Sequence, residues 1–173
     1  NQESKSEDEL FIKGTGHLYD FLKQFGRITK SEISALQTTM KKIPKEFKII
    51  LVHNTYTSMD DILWLNENSY SPYWCTCPKA NIYIENSLPN YTIFDVNKLC
   101  VGTDSLASNT SLSILEELKI IQKNSDFDLN TLLKIGCKNG AEALGFDDLG
   151  TFEIGKTPGV NLIYDFNKVE VLK

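Results

Sequence analysis

Positive charge, histidine and long apolar runs are the scarce materials of this 173-residue chain. Lys and Arg number 18 against 23 Asp and Glu, a formal net charge of −5. An acidic chain is a poor partner for nucleic acid or an anionic membrane, both of which want a basic face, so neither is expected. The longest apolar runs are about four residues, as in Ile49-Ile50-Leu51-Val52, where a bilayer-spanning helix needs about 20. The opening residues Asn1-Gln2-Glu3-Ser4-Lys5 are polar, so no signal peptide is expected. A start at Asn1 in place of Met suggests a piece of something larger. Cysteine is limited to Cys75, Cys77, Cys100 and Cys137. Cys75-Thr76-Cys77 fits neither zinc-finger nor C-x-x-C redox spacing, and reduced cysteines in apolar segments behave as small hydrophobes. Four reduced, mostly buried thiols are expected, and with them a cytoplasmic setting.

What is present suffices for a core: 41% of residues are hydrophobic and 24% charged, which excludes disorder and predicts about one domain. Helix and strand patterns alternate. Leu18, Phe21, Leu22 and Phe25 recur at helical spacing and stop at Gly26. Ser31 is placed to cap a second helix carrying Ile33, Leu36, Met40 and Ile43, closed by Pro44. Lys48 to Val52 reads as a strand buried on both faces. Ser58 with Asp61 makes a capping box before Ile62, Leu63 and Leu65. Tyr73-Trp74-Cys75 is the next strand, followed by an irregular stretch from Pro78 to Asn97. Leu99-Cys100-Val101 is a third strand. Leu112 to Ile121, a segment capped by Asp128, and Ala141 to Leu144 before Gly145 read as helices. That order predicts an α/β fold with a parallel sheet. Asn161 to Tyr164 and Val169 to Val171 lack an intervening helix and predict a separate hairpin.

In parallel α/β folds functional side chains lie just past the carboxyl ends of the strands. Those positions hold His53, then Cys75-Thr76-Cys77-Pro78, then Gly102-Thr103-Asp104-Ser105. Each has a plain structural reading: His53 as a core histidine bonded to a carbonyl, Asp104 as a turn or cap aspartate, Glu3 as tail charge. His17 opens a helix and reads as a surface or capping residue. Together, His53 and Asp104 at adjacent strand tips would converge on one pocket, and histidine with carboxylate is what a hydrolytic metal site uses.

The segment Gly102-Thr103-Asp104-Ser105-Leu106-Ala107-Ser108-Asn109 closely resembles the GTDS-x-x-SN signature of amidohydrolases, in the group of cytosine, guanine and adenosine-type deaminases and chlorohydrolases. Leu51-Val52-His53-Asn54-Thr55 is similar to the sixth barrel strand and its histidine. Cys77-Pro78-Lys79-Ala80-Asn81 is similar to the CP-x-SN loop after strand seven, with Ala80 where Ser is usual. Asn139 to Lys156 resembles the passage from barrel to composite β-domain. Asn1-Gln2-Glu3 resembles the tail of an H-x-x-E motif. The H-x-H pair and the histidine of H-x-x-E are absent.

The resemblance implies the C-terminal portion of a TIM-like (β/α)8 barrel over residues 1–147, roughly strands six to eight. Residues 148–173 would then be the returning strands of a small composite β-domain, a β-sandwich segment. It implies a metal-dependent hydrolase, a hydrolytic deaminase of a purine-like or other heterocyclic amine, using one divalent metal, Zn²⁺. Asp104 would ligate that metal with three histidines from elsewhere and accept a proton from the activated water. Glu3 would protonate a ring nitrogen and then the leaving amine. His53 would position or polarise the attacked carbon's substituent. Asn81 and Ser108 would bind substrate, with loop-stabilising hydrogen bonding as their alternative role. Chlorohydrolysis, another C–N hydrolysis, or a non-catalytic binding relative are the rival readings. Alone, the chain is expected to be inactive, to bind Zn²⁺ weakly and to expose apolar positions such as Ile49, Leu51 and Val101. It would therefore form homo-oligomers or pair with a complementary N-terminal part of the same protein.

Overall fold

A computed structural model describes residues 2–26 and 30–172. Asn1, the first letter of the H-x-x-E-like tail, lies outside the described residues. The chain opens with helix α1 (Lys5–Asp8), which runs directly into a π-helical turn (Glu9–Lys13), followed by α2 (His17–Lys23) and α3 (Ala35–Met40). Three units then build the sheet: β1 (Ile50–Val52), α4 (Met59–Glu67), β2 (Tyr73–Thr76), α5 (Pro78–Glu85), a 3₁₀ turn (Tyr91–Ile93) and β3 (Leu99–Val101). Helices α6 (Ile114–Lys123), α7 (Leu129–Leu133) and α8 (Asn139–Leu144) come next. The antiparallel hairpin β4 (Val160–Tyr164) and β5 (Lys168–Leu172) closes the described chain.

The parallel sheet has the order β1-β2-β3. Sequential order arises when every right-handed crossover returns on the same side, which stacks the connecting helices on one face. The register aligns Leu51 with Trp74 and Trp74 with Leu99. This layer enters the core with Leu36, Met40, Leu65, Tyr70, Tyr91, Phe94, Ile121, Leu132 and Ile135. Trp74 and Phe94 pack with ring centroids 4.9 Å apart. The next layer, Val52, Cys75 and Cys100, faces the other side. There Val52 and Cys75 stay half-buried.

Several expectations are corrected by local chemistry. Leu51 is 6% exposed, since α4 and its neighbours cover that face, while Ile50 and Val52 are half-buried; the strand is buried on one face only. The cap of α3 is Ser34, whose hydroxyl accepts from Gln37 N–H, because Ser31 is tied to Phe11 and Thr38. The stretch after Pro78 is helical: proline fits the first turn, where its missing N–H leaves nothing unpaired. Cys137 is exposed, whereas Cys77 and Cys100 are buried and Cys75 half-buried; all four are free thiols. The capping box of Ser58 and Asp61 is present in both directions, and Gly145 ends α8 in a left-handed conformation.

All residues of β4 and β5 are exposed. The segment leading to them docks on α8 at Gly150, where a Cβ would lie 2.9 Å from both the Ala141 Cβ and the Lys138 Cα. A cavity of about 750 Å³ separates α6 and α8 from this segment and is walled by Leu118, Leu133, Leu144, Phe146, Phe152 and Ile163. No described helix is long and apolar enough to cross a membrane.

Candidate active site

The carboxyl ends of β1 and β3 turn sharply. His53 and Asn54 after β1 have φ of 69° and 58°, and Asp104 past β3 has φ of 57°. Left-handed backbone at non-glycine residues costs roughly 1–3 kcal/mol each and persists where surroundings impose it. Here they do. The Asn54 amide donates to the Leu51 carbonyl at 2.8 Å, and the His53 N–H donates to the Cys75 carbonyl at 2.8 Å, stitching the turn to β2.

Asn81, on the first turn of α5 and fully buried, clamps His53 from two sides. Its amide N–H donates to the His53 carbonyl at 3.2 Å, and its Oδ1 lies 2.9 Å from His53 Nδ1. A carbonyl can only accept, so the amide orientation is fixed and Oδ1 faces the ring. His53 therefore donates from Nδ1, and in the neutral ring the Nε2 lone pair points away from Asn81. Nε2 lies 3.3 Å from Glu3 Oε1.

Glu3 is delivered by α1. Ser4 and Glu7 form a capping box, and Glu7 accepts both the Glu3 N–H (2.7 Å) and the Ser4 N–H (3.1 Å). Burial pushes the Glu7 carboxyl up, partly countered by these two N–H donors. Gln2, 1% exposed, holds the strap from the other side: its amide donates to Asp61 at 3.1 Å and its backbone carbonyl accepts the Tyr56 N–H at 3.2 Å. Asp61 is buried and also accepts from Ser34, Gln37 and Ser58. Gln2 was silent in the sequence, where nothing distinguishes a buried glutamine from a polar tail.

On the third strand, Gly102 lets β3 pass the thiols, since a Cβ there would meet Cys75 Sγ at 3.2 Å and Cys77 Sγ at 3.5 Å. Asp104 is exposed. Ser108 donates its hydroxyl to Asp104 Oδ2. That bond, with the Ser105 N–H and the nearby His53, holds the Asp104 carboxyl below the usual range despite some burial. Among the thiols below, Cys75 is pushed up to about 12, chiefly by its contact with Cys100, and Cys77 is raised by its contact with Cys75 and by burial. Cys100, which accepts from Cys75, is lowered.

The ligating atoms of Glu3, His53 and Asp104 all lie within 4.8 Å of one another. Two carboxylates and an imidazole nitrogen are a donor set suited to zinc or another divalent cation. A divalent cation would also offset two carboxylates facing one ring. These residues fit a metal. Asn81 and Ser108, expected as substrate contacts, each spend a polar group on this cluster, one on His53 and one on Asp104. His17 is exposed at the start of α2 and is not among the clustered ligands.

Relatives share this framework. An aminodeoxyfutalosine deaminase of a Nitratiruptor species is 28% identical over 166 residues, covering 93% of this chain and 40% of the relative. A 5-methylthioadenosine/S-adenosylhomocysteine deaminase of Halothermothrix orenii is 26% identical over 158 residues, 85% of this chain and 36% of the relative. The crystal structure of Helicobacter pylori aminofutalosine deaminase in complex with methylthio-coformycin superimposes with a TM-score of 0.73 at 25% identity, over 91% of this chain and 40% of that one. The chain thus spans about 40% of the length of these relatives. Residues 8–173 match the amidohydrolase family, so the strand-tip histidine and aspartate described above stand on a member of that family.

Proposed function

We propose that this chain is the C-terminal part of a hydrolytic deaminase acting on the exocyclic amine of a purine nucleoside. The observation that carries the reading is the convergence of Glu3, His53 and Asp104 within 4.8 Å. His53 and Asp104 lie past the carboxyl ends of β1 and β3, the two strands that flank β2 and so are not the neighbours that the sequence suggested, and Glu3 is brought in by the segment before α1. The sequential order β1-β2-β3 supports residues 1–147 as a segment of a (β/α)8 barrel, whose sites lie at this rim. The exposed hairpin supports residues 148–173 as strands of a β-sandwich completed by a partner. A complementary part of the same protein, or another copy, would supply the remaining histidines and cover the hairpin. The relatives' names favour 5′-substituted 6-aminopurine nucleosides as the first candidate substrates.

Asp104 would hold the cation, Zn²⁺ in this reading, and its carboxyl, held below the usual range, would be ionised and able to take up a proton from the attacking water. When bound, the cation supplies the positive charge that makes a water nucleophilic near neutral pH. Glu3 carries a proton to a ring nitrogen and then to the departing amine. The balance is one water consumed, the C–N bond broken, a C=O formed and ammonia released. His53, locked by Asn81, presents Nε2 toward the attacked carbon's substituent. Ser108 keeps its lone pairs free to accept an N–H from the substrate while its hydroxyl proton points at Asp104.

The test is ammonia release from 5′-methylthioadenosine, S-adenosylhomocysteine and aminodeoxyfutalosine by the full protein with Zn²⁺. Release from at least one, abolished by Asp104→Asn, is expected. No release from any of them by a folded, zinc-loaded protein overturns the reading.

A further inference from the structure

The site has two halves that come from different crossover units. His53 and Asn81 belong to the β1 and β2 units, and Asp104 and Ser108 to the loop after β3. One buried side chain touches both. Glu117, in the first turn of α6, is 0% exposed. Its Oε2 accepts the backbone N–H of Lys79 at 2.8 Å, two residues before Asn81. Its Oε1 accepts from the Asn109 amide at 2.7 Å. The same amide nitrogen donates at 2.6 Å to the carbonyl of Thr103, the residue before Asp104. Both Asn109 N–H groups are thereby used, and Asn109 Oδ1 accepts the Ser111 N–H at 3.1 Å.

We propose that Glu117 is a positioning residue that fixes the spacing between the His53–Asn81 pair and the Asp104–Ser108 pair. Three arguments carry it. The connection is short and continuous: one carboxylate reaches the helix holding Asn81 and the loop holding Asp104 through a single intervening amide. A buried carboxylate is an expensive way to gain stability, because an apolar side chain of similar volume is often neutral or better in the same place. Its two oxygens also accept from two fixed N–H donors, a geometry that an apolar side chain cannot reproduce. The start of α5 adds the favourable end of the helix dipole. A second, exposed strap runs beside it, from the Lys79 ammonium to Thr110 at 2.7 Å and Ser111 at 3.1 Å. The proposal rests on the deaminase reading only for its effect on turnover.

Glu117→Gln keeps the volume but presents an NH₂ to one of two N–H donors, so one half of the site comes loose. The direct readout is hydrogen exchange of the His53 Nδ1 proton, measured by NMR of the full protein labelled with ¹⁵N-histidine. Losing a charge-assisted hydrogen bond should speed exchange about tenfold or more. Leu132→Ala, a core truncation remote from the site, should lower stability and leave that proton protected. If Glu117→Gln does not fold, Asn109→Ala cuts the same link on one side and should accelerate exchange likewise. The proposal is overturned if the ring proton is unprotected in the wild type, or if Glu117→Gln or Asn109→Ala protects it as the wild type does. It is also overturned if Leu132→Ala accelerates exchange equally. In the ammonia assay the Gln variant should lose kcat about tenfold with KM little changed. A wild type that releases no ammonia counts against the functional reading alone, because ring-proton exchange needs no turnover.

Discussion

At their carboxyl ends β1 and β3 finish in the left-handed residues His53, Asn54 and Asp104, while within the strands Leu51, Trp74 and Leu99 run straight into an aromatic and aliphatic core. The rim uses backbone strain and crossed hydrogen bonds to aim polar groups. The body relies mainly on packing, with a few buried polar groups such as Tyr70 and Asn139 spent on backbone carbonyls. The difference teaches where a substitution should act: at the rim on chemistry, in the body on stability.

The largest separation should come from Asp104. Asp104→Asn keeps the Ser108 contact and is expected to lower turnover at least about 10²-fold, by analogy with losing a positioned acid–base group, with a small change in Tm. Loss of turnover only in proportion to lost folding would erase the distinction between rim and body. Trp74→Ala is the converse. In the 173-residue chain alone, removing a side chain 5% exposed against Phe94 should cost about 3–5 kcal/mol in denaturant unfolding, whereas Val171→Ala, 72% exposed on β5, should change stability by about 0.5 kcal/mol or less. Equal costs would mean that the hairpin is packed in solution.

A smaller effect is visible with pH. Burial raises the Tyr91 phenol from 10.0 to about 12. Below pH 10 both states are neutral and its contribution is whole. Between about 10 and 12 the unfolded chain loses the proton while the native one keeps it, so stability falls as pH rises through that window. A shift of this size is worth roughly 2–3 kcal/mol. Tyr91→Phe should therefore flatten the alkaline limb of the stability curve, and an unchanged limb would show that the phenol is not held neutral. The smallest effect belongs to Gly102→Ala, whose Cβ would press on Cys75 Sγ at 3.2 Å. About 1 kcal/mol of destabilisation, relieved by Cys75→Ala, is expected in a double-mutant cycle.

The strand tips were readable because alternating strand and helix patterns leave few topologies, and motif residues must then sit at one end of the sheet. His53 and Asp104 followed from that logic, and Glu3, which sits at no strand tip, from the resemblance alone. The cap of α3 misled because Ser31 and Ser34 are equally good caps in sequence, and only the tie to Phe11 removes the first. α5 was hidden by its polar letters and its leading proline. Glu117 left a trace that polarity obscured: it lies three residues after Ile114 and four before Ile121, on the apolar stripe of α6, while Glu116 lies off it. A charged residue on a buried stripe is the signal worth following. Gln2 left no trace, since its burial depends on Asp61, 59 residues away.

The most direct test of the shared cation site is anomalous diffraction at the zinc edge from crystals of the full protein grown with Zn²⁺. The account predicts one strong peak within about 2.0–2.2 Å of an Asp104 carboxylate oxygen, beside His53 and Glu3. A peak elsewhere, with Asp104, His53 and Glu3 well ordered and metal-free, would contradict it.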